Sequence, residues 1–262
     1  MHRETVSLQK ELEALGPGIV CLTGGGGKTT LLYALGAGIA KAKNKVLCTT
    51  TTKMHRPQPA AKLCAVFASD PAVLSMPREG ALFAARPYPP GGDPHKVYGY
   101  SGAEVDALFR RGAGIWIIVE ADGAAGRPLK APAPHEPVIP AETNVVIGVI
   151  GLCGLSRPFT PETVFRTERF TAVTGLAPGE HISPEAVATL VLHPEGLFKN
   201  SPDSSARLLF CNQSDLPGAL KKGDALAEAV FSRNAAFLHA VYLGSARTEQ
   251  TKCRKLLPDR PA

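Results

Sequence analysis

The chain has 262 residues, of which 44% are hydrophobic and 20% are charged, and its formal net charge is +6 at pH 7. These values are typical of a soluble globular protein with a substantial core. The longest apolar stretch, residues 145–155, is too short and too rich in glycine to cross a bilayer, and the polar first residues lack the apolar core of a secretory signal. We therefore expect a cytoplasmic protein with no membrane partner.

Apolar runs alternate with helical patterns along the chain. The predicted strands are 18–22, 46–53, 63–68, 115–119, 145–150, 208–211 and 237–243. The predicted helices are 5–15, a crossover helix that ends near residue 43, 101–111 with a capping box at Ser101, one that begins at Ser183, and 219–232. This alternation predicts an α/β fold with a doubly wound, mostly parallel sheet in a single domain, residues 1–262.

Three segments depart from this alternation. Residues 70–96 are rich in proline and glycine and are predicted to form an irregular excursion, often a lid or a substrate surface. Residues 151–206 predict a helical and loop-rich insertion after the middle strands. Residues 244–262 carry several basic residues and predict a flexible, solvated tail. No pattern of aromatic and basic residues suggests base stacking, so we expect no nucleic-acid partner.

A glycine-rich loop between a strand and a helix is the most informative motif. Residues 23–30 read Thr-Gly-Gly-Gly-Gly-Lys-Thr-Thr and come directly after the strand at 18–22. Glycine lets the backbone turn its N–H groups toward polyphosphate oxygens, and the start of the following helix favours an anion. We expect these glycines to bind phosphate: Gly24, Gly25, Gly26 and Gly27.

The polar residues of this loop predict the rest of a nucleotide site. Lys28 is expected to contact the β- and γ-phosphates, the Thr29 hydroxyl is the expected Mg²⁺ ligand, and Thr30 lies beside them. Leu22 stands where the usual pattern has glycine, so the loop is a variant form. The sequence therefore predicts a sheet of the P-loop NTPase type that binds Mg²⁺ and a nucleoside triphosphate.

Two further strand ends predict residues near this loop, because ligands bind at the carboxyl ends of parallel strands. The strand 115–119 ends in Glu120 and Asp122, which point to the same side of an extended chain. We assign Asp122 to the metal and Glu120 to the attacking water, although their spacing cannot rank them. The run 49–52 consists of four threonines, and Thr50 is a further candidate metal ligand. The alternative is that threonine simply suits strands.

A third strand end, residues 212–215, reads Asn-Gln-Ser-Asp and resembles the Asn-Lys-x-Asp element of GTPases. By that resemblance Asp215 would accept hydrogen bonds from a guanine ring and Asn212 would hold the loop together. Gln213 replaces the lysine that stacks on the base, so both GTP and ATP remain candidates.

Other polar residues are weaker candidates, and a solvated surface explains most of them equally well. Rigid loops near a site often carry substrate contacts, and arginine suits the recognition of oxyanions. The histidine at 193 has no metal-ligand spacing, and the cysteines form no Cys-x-x-Cys pair. The residues concerned are Lys130, His135, Glu136, Arg166, Arg169, His193 and Cys153.

Several of these segments together resemble the YqeC family. The specific parts are the threonine run with Lys53 and Met54, and the segment 119–140 with its Glu-x-Asp-Gly and Pro-Leu-Lys-Ala-Pro sequences. The family is described as accessory proteins for selenium-dependent molybdenum hydroxylases. The resemblance implies nucleotide-dependent maturation or insertion of a molybdenum–selenium cofactor, with that cofactor or its client hydroxylase as partner. Cys153 stands where we expect an acidic residue in the family.

Three classes of function fit these residues. The leading hypothesis is a Mg²⁺-dependent NTPase that acts in cofactor maturation. The second is an ATP-dependent ligase or kinase that acts on a small substrate held by the proline-rich loops. The third is a non-catalytic nucleotide sensor, in which the carboxylates only hold the metal.

Overall fold

The computed structural model describes residues 1–57, 63–248 and 252–258. The strands are His2–Ser7 (β1), Ile19–Gly24 (β2), Lys45–Thr50 (β3), Met54–His55 (β4), Cys64–Phe67 (β5), Gly80–Pro87 (β6), Lys96–Tyr98 (β7), Ile115–Glu120 (β8), Leu129–Lys130 (β9), Thr143–Gly151 (β10), Val164–Phe165 (β11), Ala206–Asn212 (β12), Ala240–Gly244 (β13) and Lys252–Leu257 (β14). The helices are Leu8–Leu15 (α1), Lys28–Ala40 (α2), Gly102–Arg111 (α3), Thr167–Thr174 (α4), Pro184–Leu192 (α5) and Ala219–Phe231 (α6). No helix in these ranges is long and apolar enough to span a bilayer.

Within the described ranges, twelve strands form one large sheet in the order β1-β14-β13-β12-β10-β2-β8-β3-β6-β7-β4, with β5 paired to β6. The strands from β13 to β6, and β5, run parallel to one another. Antiparallel strands flank them: β14 and β1 at one end, β7 and β4 at the other. The fold is therefore mixed α/β with a mostly parallel sheet, as predicted.

The central strands are buried on both faces, which explains their continuous apolar sequences. In β8, Ile117 packs with one core cluster and Ile118 with another, because successive side chains point to opposite faces of a sheet. The cluster on one face includes residues of α1 and α2, and the other includes residues of α3 to α6. Because helices cover both faces of the sheet, ligands can reach the parallel strands at the edge where their carboxyl ends lie.

The helix starts follow the predicted capping chemistry. The Ser101 hydroxyl accepts a hydrogen bond from the Glu104 backbone N–H, and the Glu104 carboxylate accepts one from the Ser101 N–H, a complete capping box. The Ser183 hydroxyl caps α5 by accepting from Ala186 N–H. Both predicted helix starts are confirmed.

The prediction of an irregular excursion over residues 70–96 is wrong for residues 80–87. Residues Gly80–Pro87 form β6, which pairs in parallel with β3 and lies well inside the sheet. The apolar run within this segment, residues 81–85, is long enough for a strand, and Phe83 is fully buried. The flanking prolines and glycines mark the turns that enter and leave this strand, and they conceal it in the sequence.

The predicted flexible tail at 244–262 is also wrong for Lys252–Leu257. This strand, β14, lies between β1 and β13. Residues 5–7, which the sequence predicts as the start of a helix, belong to strand β1. Two basic side chains of β14 pair with acidic residues that are distant in the sequence. Arg254 lies 3.0 Å from Asp224, and Lys255 forms an ion pair with Glu11.

Candidate functional site

A cavity of about 960 Å³ opens at the carboxyl edge of the parallel strands. Its lining comes from the loops that follow β2, β3, β8, β10, β12 and β13, together with residues 123–128 and the start of α4. Parallel α/β sheets bind their ligands at this edge, where the loops diverge. The cavity is therefore the candidate functional site.

Only the second half of the glycine loop, from Gly26 onward, lines this cavity. The N–H groups of Gly24, Gly25 and Gly26 are already used: they donate to the Asp122 carboxylate (3.1 Å), the Val149 carbonyl (3.0 Å) and the Arg127 carbonyl (2.9 Å). Gly24 and Gly25 do not line the cavity, whereas residues 26–30 do. The N–H groups that can face an anion thus begin at Gly27 and continue into the first turn of α2.

Glycine is required at the centre of this loop. Gly26 and Gly27 have φ values of 77° and 115°, in the left-handed region that side chains rarely adopt. A Cβ atom at Gly26 would collide with the backbone of Gly151, and one at Gly27 would collide with the Asn212 side chain. The loop is packed tightly against the ends of β10 and β12, which fixes the position of the helix start.

Lys28 is buried behind the loop and does not extend into solvent. It is 4% exposed, it donates to the Gly24 carbonyl, and its Nζ lies 3.1 Å from Oδ1 of Asp122. Asp122 is 2% exposed and does not line the cavity. Its other oxygen, Oδ2, lies 3.1 Å from Nζ of Lys130, which is fully buried. Asp122 therefore bridges two lysines and the Gly24 N–H.

The buried charges continue as an alternating row from Lys28 to the cavity wall. Lys130 also contacts Glu136, at 2.7 Å, and Glu136 accepts two hydrogen bonds from the Arg166 guanidinium, at 3.0 and 3.2 Å. Burial alone would raise the pKa of Glu136, but hydrogen bonds and the charges of Lys130 and Arg166 hold it below its usual value. Each charge in the row has an opposite neighbour, which offsets the cost of burial.

Of the two carboxylates at the end of β8, Glu120 and Asp122, it is Glu120 that lines the cavity. Its Oε2 accepts a hydrogen bond of 2.7 Å from the Thr29 hydroxyl in the first turn of α2. Burial raises its pKa above the usual value, although the charge of Lys28 and the bond from Thr29 act in the opposite direction. A buried carboxylate beside a hydroxyl is suited to a cation, because a nearby cation would stabilise the ionised form that burial disfavours.

Most of the threonine run braces the backbone. The hydroxyls of Thr49, Thr50 and Thr51 donate to the carbonyls of Ala84, Glu120 and Val138, respectively. The Thr50 hydroxyl also accepts from the N–H of Thr52, and Thr50 does not line the cavity. Of the four, Thr52 is the one that reaches the cavity lining. These hydrogen bonds fix the end of β3 against β6, β8 and the segment that contains Val138.

On the other side of the loop, Asn212 joins three segments. Its amide donates to the Gly26 carbonyl at 2.7 Å, and its Oδ1 accepts from the N–H groups of Gln213 and Ala246, each at 2.9 Å. Asp215 is exposed and lines the same cavity. The two residues that resemble a base-reading element therefore lie at the cavity, and Asn212 holds the glycine loop.

The sequence analysis missed two groups of lining residues. Ser245 and Arg247 follow β13 and line the cavity next to Asn212, because β12 and β13 are neighbours in the sheet. Lys53, His55 and Lys96 line its opposite end, beyond β3. Lys53, Ser245 and Arg247 come after a strand, which is a signal that the sequence offers. His55 and Lys96 lie within β4 and β7, which are too short to be predicted from the sequence.

The remaining candidates divide between the cavity and the surface. Cys153 and Arg166 line the cavity, and the Cys153 N–H donates to the side chain of Gln213 at 3.3 Å. His135 is exposed outside it. Arg169, in α4, pairs with Glu195 at 3.3 Å, and the His193 ring, at the end of α5, accepts from the Glu195 N–H. Neither residue lines the cavity.

The residues present fit a magnesium ion better than a transition metal. Within the described ranges, no group of three or more histidine, cysteine, aspartate or glutamate side chains could hold a metal by itself. Thr29 and Glu120 offer hard oxygen atoms, and Mg²⁺ is usually bound by one or two such protein ligands together with phosphate and water. That donor set is present at the mouth of the glycine loop.

Comparisons with known proteins agree with one another. A family model described as YqeC protein matches residues 20–168. The "Uncharacterized protein YqeC" of Escherichia coli (strain K12) is 36% identical over 197 residues, which cover 75% of this chain and 76% of that protein. The matched region contains the glycine loop, the threonine run, Glu120 and the buried charge row. The chain therefore belongs to the YqeC family.

Proposed function

We propose that this protein binds a nucleoside triphosphate with Mg²⁺ in the cavity and hydrolyses its terminal phosphate. The observation that carries the proposal is the bond from the Thr29 hydroxyl to the buried Glu120 carboxylate, at the first turn of a helix that follows a glycine loop. A hydroxyl and a strand-end carboxylate in this relation are the protein ligands of magnesium in nucleotide sites with a glycine loop. The free N–H groups from Gly27 onward would bind the phosphates.

The geometry favours other roles for Glu120 and Asp122 than those assigned from the sequence, which gave Asp122 to the metal and Glu120 to the attacking water. Asp122 forms ion pairs with two lysines, accepts a hydrogen bond from the Gly24 N–H and does not line the cavity, so we assign it to the positioning of Lys28. Thr29 and Glu120 would hold the metal, directly or through water. Thr50, a candidate metal ligand in the sequence, has no role in metal binding in this proposal. When bound, Mg²⁺ neutralises charge between the β- and γ-phosphates.

We place the base at the β12–β13 side of the loop. Asp215 and Arg247 line the cavity there, and Asn212 couples that side to the glycine loop through Gly26. An exposed aspartate can accept hydrogen bonds from the ring N–H and amino groups of guanine, whereas adenine presents a different edge. We therefore propose GTP as the preferred nucleotide, with ATP as the alternative.

At the level of the pathway, we propose an accessory role in the maturation of a selenium-dependent molybdenum hydroxylase. This proposal rests on the accessory role that the resemblance to the YqeC family implies, and the family model supports the membership alone. Nucleotide turnover would then gate the delivery of a cofactor to the client enzyme. A ligase or kinase and a non-catalytic sensor remain the competing functions, and they differ in what the nucleotide becomes.

A turnover assay tests the proposal. Phosphate release from GTP and from ATP is measured with and without Mg²⁺, for the wild type and for Thr29→Ala and Glu120→Gln. We expect Mg²⁺-dependent release by the wild type and a loss of at least tenfold in both variants. Thr189→Ala and Glu228→Gln, on helices α5 and α6 away from the cavity, are matched controls. Binding without release under all conditions would contradict hydrolysis and favour the sensor.

A further inference from the structure

The sheet order divides the cavity into two ends. From the glycine loop after β2, one direction leads through β10 and β12 to β13, where we place the base. The other direction leads through β8 and β3 to β7 and β4. A nucleotide whose phosphates lie at the loop can extend its base to one end only, so the other end faces its terminal phosphate.

The second end has a positive wall formed by Lys53 and Lys96, with His55 paired to Lys96 across β4 and β7, and we call it the cationic wall. Lys53 is exposed, and no carboxylate in the described parts of the chain lies within ion-pair distance of it. Lys96 lies 3.1 Å from Asp93, which offsets part of its charge, but Asp93 does not line the cavity. The cationic wall therefore presents net positive charge to the cavity.

Two tyrosines support the lysine of this wall. The rings of Tyr88 and Tyr98 stack with their centroids 4.7 Å apart and their planes at 14°. The Lys53 ammonium lies 4.9 Å from the centroid of Tyr88 and 5.8 Å from that of Tyr98. Cation–π attraction of this kind, together with a hydrogen bond to Tyr88, restrains this long side chain. An ammonium group that is already restrained loses less side-chain entropy when it binds an anion.

The cavity is large, and its lining extends from Asp215 and Arg247 at one end to Lys53 and Lys96 at the other. Pockets that hold one drug-sized ligand range from roughly 300 to 1,000 Å³, and this cavity, at about 960 Å³, lies at the upper end of that range. Glu120 is the carboxylate that lies between the glycine loop and the cationic wall, and we have assigned it to the metal. The lining beyond it includes the ammonium groups of Lys53 and Lys96, together with Thr52, Met54 and His55.

We propose that the cationic wall binds the oxyanion group, phosphate or carboxylate, of a small second substrate next to the terminal phosphate of the nucleotide. This inference rests on the proposed function for the position of the nucleotide, and it names the chemical class of the second substrate. The substrate is anionic, and its charged group is held by Lys53 and Lys96.

Calorimetry with simple anions tests this site. In the first arm, the wild type is saturated with Mg²⁺ and a non-hydrolysable GTP analogue, and inorganic phosphate or acetate is titrated into it. In the second arm, Lys28→Met is titrated without nucleotide, so that the glycine loop is disabled. Each arm is repeated with Lys53→Gln, Lys96→Gln and the control Lys221→Gln, an exposed lysine on α6 that does not line the cavity.

We expect one anion per chain in both arms, with a dissociation constant that rises at least fivefold for Lys53→Gln and Lys96→Gln and stays unchanged for Lys221→Gln. Tighter binding of phosphate than of acetate would identify a phosphorylated substrate, and the reverse a carboxylate. The inference is overturned if neither anion binds in either arm, or if both lysine variants bind as the wild type does. Failure of the analogue to bind in the first arm contradicts the proposed function alone, because the second arm still decides the cationic wall.

Discussion

The ammonium group of Lys28 lies 3.1 Å from the carboxylate of Asp122, and both side chains are almost fully buried. This pair places the lysine of the glycine loop at the base of the cavity before any ligand arrives. A lysine restrained in this way loses little side-chain entropy when a phosphate binds, which is the advantage of preorganisation. Asp122 is thus a positioning residue that acts through Lys28.

Asp122→Asn should weaken both the fold and the site. It removes the negative charge between Lys28 and Lys130, and the loss of one partner from a buried charge pair costs about 3 kcal/mol. We expect a lower urea midpoint and nucleotide binding weakened about tenfold, as measured by denaturation and calorimetry. Asp224→Asn is the control, because its partly exposed pair with Arg254 should contribute no more than about 1 kcal/mol. Unchanged stability of Asp122→Asn would contradict the buried row.

Glu120→Gln should stabilise the unliganded protein and abolish its response to Mg²⁺. Burial raises the pKa of Glu120, so the folded state binds this proton more tightly than the unfolded state does. The carboxylate therefore lowers stability increasingly as the pH rises above its unfolded pKa of about 4.3. We expect a gain of roughly 0.5–2 kcal/mol at pH 7.5 that disappears near pH 4. Thermal unfolding between these two pH values measures it, and a loss of stability at pH 7.5 would refute the assignment.

Glu136→Gln should have the opposite effect. The pKa of Glu136 is lowered by Lys130 and Arg166 despite its burial, so its stabilisation is present above the unfolded value and is lost as the pH falls through the lowered folded pKa. We expect the variant to be less stable than the wild type by about 3 kcal/mol at pH 7.5, with the difference shrinking below pH 4. The same thermal series measures both glutamate variants. Parallel pH profiles for the two would show that the charges are not arranged as described.

Asp215→Ala should reduce the discrimination between guanine and adenine. A site built to hydrogen-bond a ring edge rejects analogues that lack the matching groups by large factors, and truncation removes that selectivity. We expect competition among GTP, ATP and CTP to favour GTP in the wild type and to become nearly even in the variant. Preference for ATP in the wild type, or an Asp215→Ala variant with unchanged selectivity, would mean that the base lies elsewhere.

The central sheet could be predicted from the sequence because its signals are local. The continuous apolar run Ile115–Glu120 identifies a strand buried on both faces, and Ser101 with Glu104 marks a helix start. By contrast, β14 carries basic residues that read as a solvated tail. Its partners, Asp224 and Glu11, are far away in the chain, and only the folded structure brings them together.

The candidate site shows the same limit. The sequence indicates that Glu120 and Asp122 follow a strand beside the glycine loop, but their spacing does not reveal that Lys130 lies against Asp122. That contact turns Asp122 away from the cavity and leaves Glu120 facing it. Likewise, four threonines in a row suggest ligands, whereas three of their hydroxyls donate to backbone carbonyls of neighbouring segments. Long-range contacts decide these roles.

The most direct test of the account is calorimetric titration of GTP and ATP, in the presence of Mg²⁺, into the wild type and Lys28→Ala. Asp122 keeps Lys130 and the Gly24 N–H as partners in this variant, so circular dichroism should show a folded protein. We predict one triphosphate bound per wild-type chain and at least a hundredfold loss of affinity in the variant. Equal affinity of the two proteins, or no binding of either nucleotide by the wild type, would contradict the nucleotide site.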